Sequence, residues 1–508
     1  MNLSSWIERR ADLSPDRAAI LFEGETVTWL RFFEEVRSIA RMLRDGLGVG
    51  PGDRVAHLGY NTPSYLALLF ACARVGAMLV PLNWRLAVPE HACIVTDAAP
   101  RALIHDAAFA GRVAELAAGG ALDGIAAVAI ETGLPVLAAD AAAIPDAVPG
   151  IGYEAPVLVV YTSGTTGRPK GAVLTQEALF WNAVNSTAMH DLTSADRVLT
   201  TLPIFHVGGL NIQTLPALHA GATVILHRRF DPDATLRAVA EDRPSLTVLV
   251  PAQMAALIAH PAWHAADLSS LRLVATGSMI VPVPLIEAFH ARGVPVTQVY
   301  GSTETAPIAV ALPVADVAHK IGSCGKPALH CEIRVVVGPD GEEAPPGVPG
   351  EILVRGRNVM REYWRDPDAT AAALDGAGWF ATGDIGHRDE EGYLYVDERK
   401  KDVIISGGEN IYPAELEAIL AAEDRLAEAV VVARPDPRWG EVPVVVCVAR
   451  GGGPETAGRE AILALFEGRI ARYKHPRDVV FLEALPKNAL GKVMKYELRR
   501  IVAAGAAG

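Results

Sequence analysis

YTSGTTGRPKG, Tyr161 to Gly171, follows the apolar run PVLVV at residues 156–160 and decides how the rest of this 508-residue chain is read. A buried strand that opens into a loop of Gly, Ser and Thr and closes on a Lys is what polyphosphate binding asks for. Backbone N–H groups must approach the oxygens closely, hydroxyls must donate, and a cation must neutralise. Gly164 is not followed five and six residues later by Gly-Lys, so this is not a Walker A loop, and a P-loop kinase or ATPase is disfavoured. Thr162, Ser163, Gly164, Thr165, Thr166 and Lys170 are the candidate phosphate ligands. A solvated turn is the other use to which such a composition is put.

Outward from this loop, helix and strand alternate. Phe32, Val36, Ile39 and Leu43 recur at helical spacing from Thr28 to Gly46, and residues 54–58 read as a short buried strand. A helix starts near Thr62-Pro63. Apolar strand runs return at 157–161, 222–226, 246–249 and 271–275, which predicts an α/β class rather than a helical bundle. The Ala-rich stretch 107–147 fits helix, strand edge or loop equally. After Gly338 the texture turns to short strands and Pro-Gly corners. DERKKD at 397–402 then precedes a helix at 413–420 and strands at 429–432 and 444–448, the pattern of a small α+β domain. The hexapeptide reads as a hinge or as a charged surface turn. Residues 1–400 and 401–508 are the expected domains.

Composition bounds the partners. With 46 basic against 59 acidic residues the net charge is −13, which disfavours nucleic acid and anionic lipid. The most membrane-like run, from Tyr65, is interrupted by Arg74 and closed by Pro81, so a buried helix followed by a strand is expected there. The charged N-terminus lacks the apolar run of a secretory signal, and a cytoplasmic location is expected. Cys72, Cys93, Cys324, Cys331 and Cys447 show no zinc spacing and read as buried free thiols.

At the eleven-residue loop the sequence resembles the adenylate-forming superfamily of acyl-CoA synthetases, peptide-synthetase adenylation domains and firefly-type luciferases. Four further strings of that family follow in order: YGSTE (Tyr300, Gly301, Ser302, Thr303, Glu304), TGD (Thr382 to Asp384), RKKDVIISGGENIYPAELE (Arg399 to Glu417) and PKNALGK (Pro486 to Lys492). The resemblance implies ATP, Mg²⁺ and coenzyme A, and a large N-terminal domain of stacked α/β subdomains with a β-rich segment, followed by a small mobile C-terminal domain. It implies that the Tyr300 face meets adenine and that Thr303 and Glu304 lie near phosphate and metal, a hard cation suited to oxygen ligands. Asp384 and Arg399 would hold the ribose hydroxyls. Lys492 would bridge the incoming carboxylate and the α-phosphate, although Lys492, Lys495 and Arg499 also read as the basic face of a terminal helix. Lys401 occupies the hinge position, about which the small domain would turn between the two half-reactions.

The resemblance places His206, in PIFHVGG, at the acyl pocket. Peptide-synthetase domains carry Phe-Asp there to bind an amino group, so Phe205-His206 argues against an amino acid substrate. The pocket candidates Val207, Gly208, Gly209, Ala252, Thr276, Gly277, Met279, Val299 and Ala306 suit an alkyl or aryl chain. ATGSMIVP at 275–282, with Gly277 and Ser278, departs from the commoner GGAP wall. Gly407 and Gly408 match the turn that passes the pantetheine arm, where only hydrogen leaves room, and Trp439 and Tyr473 sit where aryl-CoA ligases contact the CoA nucleotide. The expected activity is AMP-forming acyl-CoA ligation, with medium- or long-chain fatty acids first and hydroxycinnamate- or benzoate-type acids second. Loading of a carrier protein is the rival, and a homodimer is compatible with the reading.

Overall fold

The computed structural model describes residues 1–130, 148–162, 169–277, 281–338, 341–399, 402–406, 409–437, 439–451, 458–467, 469–470, 472–487 and 493–504. Two compact units emerge: Met1–Ile333 with Val354–Ala381, and Arg334–Leu353 with Thr382–Gly508.

The first unit is built on two sheets. In one, Pro156–Thr162, Met78–Pro81, Arg54–Leu58, Ala102–His105 and Ala126–Ala129 run parallel in that spatial order, and Lys170–Thr175 and Glu362–Tyr363 complete one edge antiparallel. In the other, Val296–Tyr300, Leu273–Thr276, Leu246–Val248, Arg197–Thr200, Thr223–Leu226 and Ala18–Phe22 form a parallel centre with antiparallel edges. Strands covered on both faces read as unbroken apolar runs rather than alternating ones, and residues 157–160 are all buried.

The membrane-like run from Tyr65 is an internal helix, Pro63–Val75, followed by the strand Met78–Pro81, as expected. Thr62 Oγ1 accepts from Tyr65 N, Pro63 opens the first turn, and Gly76 at φ +79° closes the last. Arg74 lies inside by reaching Glu8 at 3.3 Å with its guanidinium over Phe33. No helix among the described residues is long and apolar enough to cross a membrane. The periodic stretch after Thr28 is helical over Trp29–Arg41 and widens into a π turn at Met42–Gly46. Of the Ala-rich region, Ala110–Ala118 is helix and Ala126–Ala129 strand, while 131–147 lie outside the described residues. All five cysteines are free, but only Cys72, Cys331 and Cys447 are buried. Cys93 is exposed on the helix Val88–Ala98 and Cys324 is half-buried, which corrects the expectation of five buried thiols.

After Arg197–Thr200 the chain passes to Thr223–Leu226 on one side and then to Leu246–Val248 on the other, making Arg197–Thr200 the switch strand of the large sheet. Ligands of open α/β sheets bind beyond the carboxyl ends of strands at such a point. Beyond these ends lie His206, Gly277 and the turn at Thr303.

In the second unit, Glu409–Ile411, Ile404–Ser406, Gly440–Ala449 and Leu426–Asp436 form an antiparallel sheet extended by Asp478–Phe481. Helix Pro413–Leu420 covers it through Leu416 and Leu420, which join Ile404, Val431, Val445 and Phe466 in one core. The expected helix 413–420 agrees to the residue, and the strands expected at 429–432 and 444–448 are the middles of longer ones.

Candidate active site

The string Tyr161 to Gly171 joins two antiparallel strands. Pro156–Thr162 and Lys170–Thr175 pair antiparallel with Thr162 opposite Lys170 and Tyr161 opposite Gly171, so the ladder itself brings the cation back to the strand end from which the loop departs. Ser163, Gly164, Thr165 and Thr166 lie outside the described residues. Gly171 is needed for close approach, since a Cβ there would stand 2.8 Å from Val159 Cγ1 and 3.1 Å from the Tyr161 ring. The Lys170 ammonium lies 4.0 Å from Asp366 Oδ2 and 5.4 Å from the centre of the Tyr363 ring. Tyr161 donates its hydroxyl to Asp97 Oδ2; burial first, then that carboxylate, pushes its phenol well above the usual range.

In the other sheet, Val296–Tyr300 ends in Gly301, where a Cβ would overlap the Pro307 carbonyl oxygen at 1.5 Å, so only glycine lets the chain turn back. The turn Thr303–Thr305 follows, closed by Thr305 Oγ1 accepting from Ser302 N at 2.9 Å and donating to Pro307 O at 3.0 Å. Glu304 is half-buried rather than a free surface carboxylate, and its Oε1 accepts from the Tyr363 hydroxyl at 2.9 Å. Mg²⁺ keeps substrate phosphates and waters as ligands and asks the protein for one or two carboxylates. Among the described residues no cluster of three or more His, Cys, Asp or Glu could hold a metal alone, so the single oriented Glu304 fits an ion that arrives with polyphosphate.

The residues expected at the acyl pocket are small and tightly packed. Gly209 and Gly277 have no room for a side chain, as a Cβ would meet Pro203 O at 2.3 Å and Val299 O at 2.5 Å, and Val207, Val299 and Ala306 are buried. His206 Nε2, Thr276 Oγ1 and Ser302 Oγ are buried without a partner among the described residues. Buried polar atoms are normally satisfied, so each of these orphans is a place where a polar ligand group would find a partner. Burial, then the nearby Arg85 guanidinium, pushes the His206 imidazole down to about 4, leaving it neutral at pH 7. Tyr300 is 8 % exposed. Ser278 and Met279 lie outside the described residues.

In the second unit Asp384 and Arg399 are direct cross-strand partners in the pairing of Phe380–Arg388 with Leu394–Arg399. Asp384 is 8 % exposed and its N–H donates to Thr382 Oγ1. Trp439 is 39 % exposed at the turn between the two longest strands, its N–H donating to Asp436 Oδ1. Tyr473 falls in the 3₁₀ turn Arg472–Lys474. Lys401, Gly407, Gly408 and Lys492 lie outside the described residues. Of the basic face read at the C-terminus, Lys495 pairs with Glu417 at 3.1 Å and Arg499 with Asp402, so these two cations hold the helix Lys495–Ala504 to its own unit.

Sequence reasoning missed the segment 358–364. Met360 N donates to the Glu304 carbonyl at 2.6 Å, the fully buried Asn358 amide donates to Thr305 O at 2.7 Å and Ile308 O at 3.0 Å, and Trp364 N donates to Gly171 O at 2.7 Å. The signal available was the short string NVMREYW, whose value lies in contacts remote in sequence.

Comparison with known proteins follows the same lines. A family model described as AMP-binding enzyme matches residues 7–364, and one described as AMP-binding enzyme C-terminal domain matches residues 415–492. An indoleacetate–CoA ligase of Aromatoleum aromaticum is 53 % identical over 99 % of this chain and 98 % of its own length. A feruloyl-CoA synthase of Amycolatopsis sp is 45 % identical over 98 % of both chains. The solved o-succinylbenzoate CoA synthetase of Bacillus subtilis, in complex with its acyl-adenylate intermediate, superposes with a TM-score of 0.85 at 32 % identity over 97 % of both chains; another structure of that enzyme holds ATP and magnesium ion. With matches that run its whole length, this chain belongs to the AMP-binding enzyme family, in the CoA-ligase branch of the adenylate-forming superfamily, and is an AMP-forming acid–thiol ligase using ATP, Mg²⁺ and coenzyme A.

Proposed function

We propose that this ligase activates an aromatic carboxylic acid of the arylacetate or hydroxycinnamate class, first as the aryl-adenylate with release of pyrophosphate and then as the aryl-CoA thioester with release of AMP. The observation that carries the reading is the identity of 53 % and 45 % with ligases named for indoleacetate and feruloyl substrates, over nearly the whole chain. Fatty acids, the first expectation from the sequence, become the second.

In this reading Lys170 and the hydroxyls of the 162–166 loop hold the polyphosphate, and Tyr300 to Ser302 with Gly277 and Ser278 border the adenine. Asp384 and Arg399 take the ribose. Glu304 ligates Mg²⁺, which supplies neutralising charge on the phosphates. Lys492, on the 401–508 domain, meets the carboxylate as it approaches the α-phosphate; two unit charges 4 Å apart in a medium of effective dielectric about 20 repel by about 4 kcal/mol, so a cation there lowers the barrier directly. His206, neutral, lines the path of the thiol and does not serve as an acid at pH 7. After pyrophosphate leaves, the small domain turns about Lys401 and presents Gly407 and Gly408 to the pantetheine arm, with Trp439 and Tyr473 toward the CoA nucleotide.

The test is AMP release from ATP, Mg²⁺ and CoA with arylacetic, hydroxycinnamic and benzoic acids against fatty acids of six to sixteen carbons. The best aryl acid is expected to exceed the best fatty acid in kcat/KM by about tenfold or more, a difference of about 1.4 kcal/mol. A fatty acid at the top overturns the reading. Adenylate formation without CoA-dependent turnover favours a carrier-protein acceptor instead.

A further inference from the structure

We propose that Tyr363 is a positioning residue for adenylation, holding the Glu304 carboxylate and the Lys170 ammonium apart and aiming both at the same polyphosphate. The inference rests on the reading of Glu304 as the metal ligand and Lys170 as the phosphate cation.

The backbone around Tyr363 is fixed from two sides. Glu362 and Tyr363 pair antiparallel with Val173 and Ala172 of the strand that returns from the phosphate loop, flanked by Arg361 N donating to Val173 O and Trp364 N to Gly171 O. Tyr363 N donates to Thr370 Oγ1 at 2.9 Å. Three residues earlier, Met360 N donates to the Glu304 carbonyl, and Asn358 binds the two carbonyls beyond it. One short segment therefore spans from the loop's return strand to the Thr303–Thr305 turn.

The Tyr363 side chain repeats that connection in chemistry. Its hydroxyl donates to Glu304 Oε1 at 2.9 Å, and its ring face carries the Lys170 ammonium at 5.4 Å. An ammonium and a carboxylate free to meet would pair and cancel each other. With the phenol ring beside one and its hydroxyl on the other, the two charges do not pair with each other; the ammonium keeps only its 4.0 Å approach to Asp366 Oδ2, and occupation of Oε1 by the hydroxyl leaves the second carboxylate oxygen for a metal. Hydrogen-bonded partners of metal-ligating carboxylates typically govern metal affinity or activity by 10- to 100-fold.

Tyr363→Phe keeps the ring and removes the hydroxyl; Tyr363→Leu removes both. The readout is Mn²⁺ binding followed by electron paramagnetic resonance in the presence of a non-hydrolysable ATP analogue, beside calorimetry of the analogue without metal. For Tyr363→Phe the half-saturating Mn²⁺ concentration is expected to rise about 10-fold or more, with metal-free analogue binding, the KM for the acid, and thioester formation from supplied aryl-adenylate unchanged. Tyr363→Leu is expected to weaken metal-free analogue binding as well. A wild-type Mn²⁺ titration for Tyr363→Phe overturns the proposal, and so does a uniform loss in both half-reactions with lowered thermal stability, which marks a merely structural residue. Glu304→Gln separates the two levels: lost metal dependence there with none in Tyr363→Phe sinks the Tyr363 role alone, whereas an unchanged titration in Glu304→Gln removes the reading beneath it.

Discussion

Gly277→Ala tests whether adenylation depends on the close backbone contact at the end of the strand Leu273–Thr276, where the acyl pocket is proposed. Gly277 follows the strand Leu273–Thr276, whose Thr276 lies opposite Gln298 of the neighbouring parallel strand, and a Cβ at 277 would stand 2.5 Å from the Val299 carbonyl oxygen and 3.1 Å from Val299 Cγ2. A comfortable carbon–oxygen contact is about 3.3 Å, so one strand end must move by about 0.8 Å. The oxygen belongs to backbone within a six-stranded parallel core, and it cannot swing away as a side-chain tip would. Overpacking of this kind costs about 1–3 kcal/mol, and a misplacement of about 1 Å beside a reacting centre costs up to about 100-fold in rate. ATP–pyrophosphate exchange should therefore fall about 10- to 100-fold, with a lowered urea midpoint. Gly293→Ala is the control. Gly293 sits at φ +74° with nothing within 4 Å of its would-be Cβ, so alanine there meets backbone strain of about 1–2 kcal/mol and no close contact. Its exchange rate should match wild type at comparable loss of stability. Wild-type exchange in Gly277→Ala, or equal loss in the two variants, refutes the reasoning.

Two further expectations concern protons and the lysine. His57, His190, His206 and His219 are pushed down by burial first, to about 3 for His57 and about 4 for the others. Each is neutral when folded and binds a proton below about pH 6.5 when unfolded, so the stability they contribute is complete above that pH and is lost as the pH falls toward 4. Four such groups at about 1.4 kcal/mol per pH unit each give a slope of about 5 kcal/mol per unit near pH 5; urea unfolding between pH 7 and 4.5 measures it, and a slope below that of a single proton contradicts the burial. Lys492→Ala should lower adenylation by about 100-fold or more, the scale of a lost transition-state charge partner, while thioester formation from supplied aryl-adenylate persists. Equal loss in both half-reactions would show that the lysine does not serve the first step alone.

What the sequence disclosed follows from where each constraint is satisfied. The helix Pro63–Val75 carries its own start and stop in Thr62, Pro63 and Gly76, and Pro413–Leu420 opens on its proline, so both are legible from a dozen residues. The strand before the Gly/Ser/Thr string was legible as an apolar run, whereas its antiparallel pairing with Lys170–Thr175 was not read from the sequence. The pairing of Asp384 with Arg399 was legible only through family resemblance, because nothing local in TGD or DERKKD states that the two strands run side by side. Residues that act through others escaped altogether. Tyr363 meets Glu304 across 59 positions, Asn358 meets Thr305 across 53, and Asn182 holds Ile308 N across 126, each by one hydrogen bond with no periodicity or composition to announce it. The glycines of these motifs mark where the chain packs against itself, Gly171 on Val159, Gly277 on the Val299 carbonyl and Gly301 on the Pro307 carbonyl. The groups that keep those motifs in register are ordinary residues in a helix, a turn and a two-residue strand, Asn182, Asn358 and Tyr363, and their importance resides in distances that only the folded chain defines.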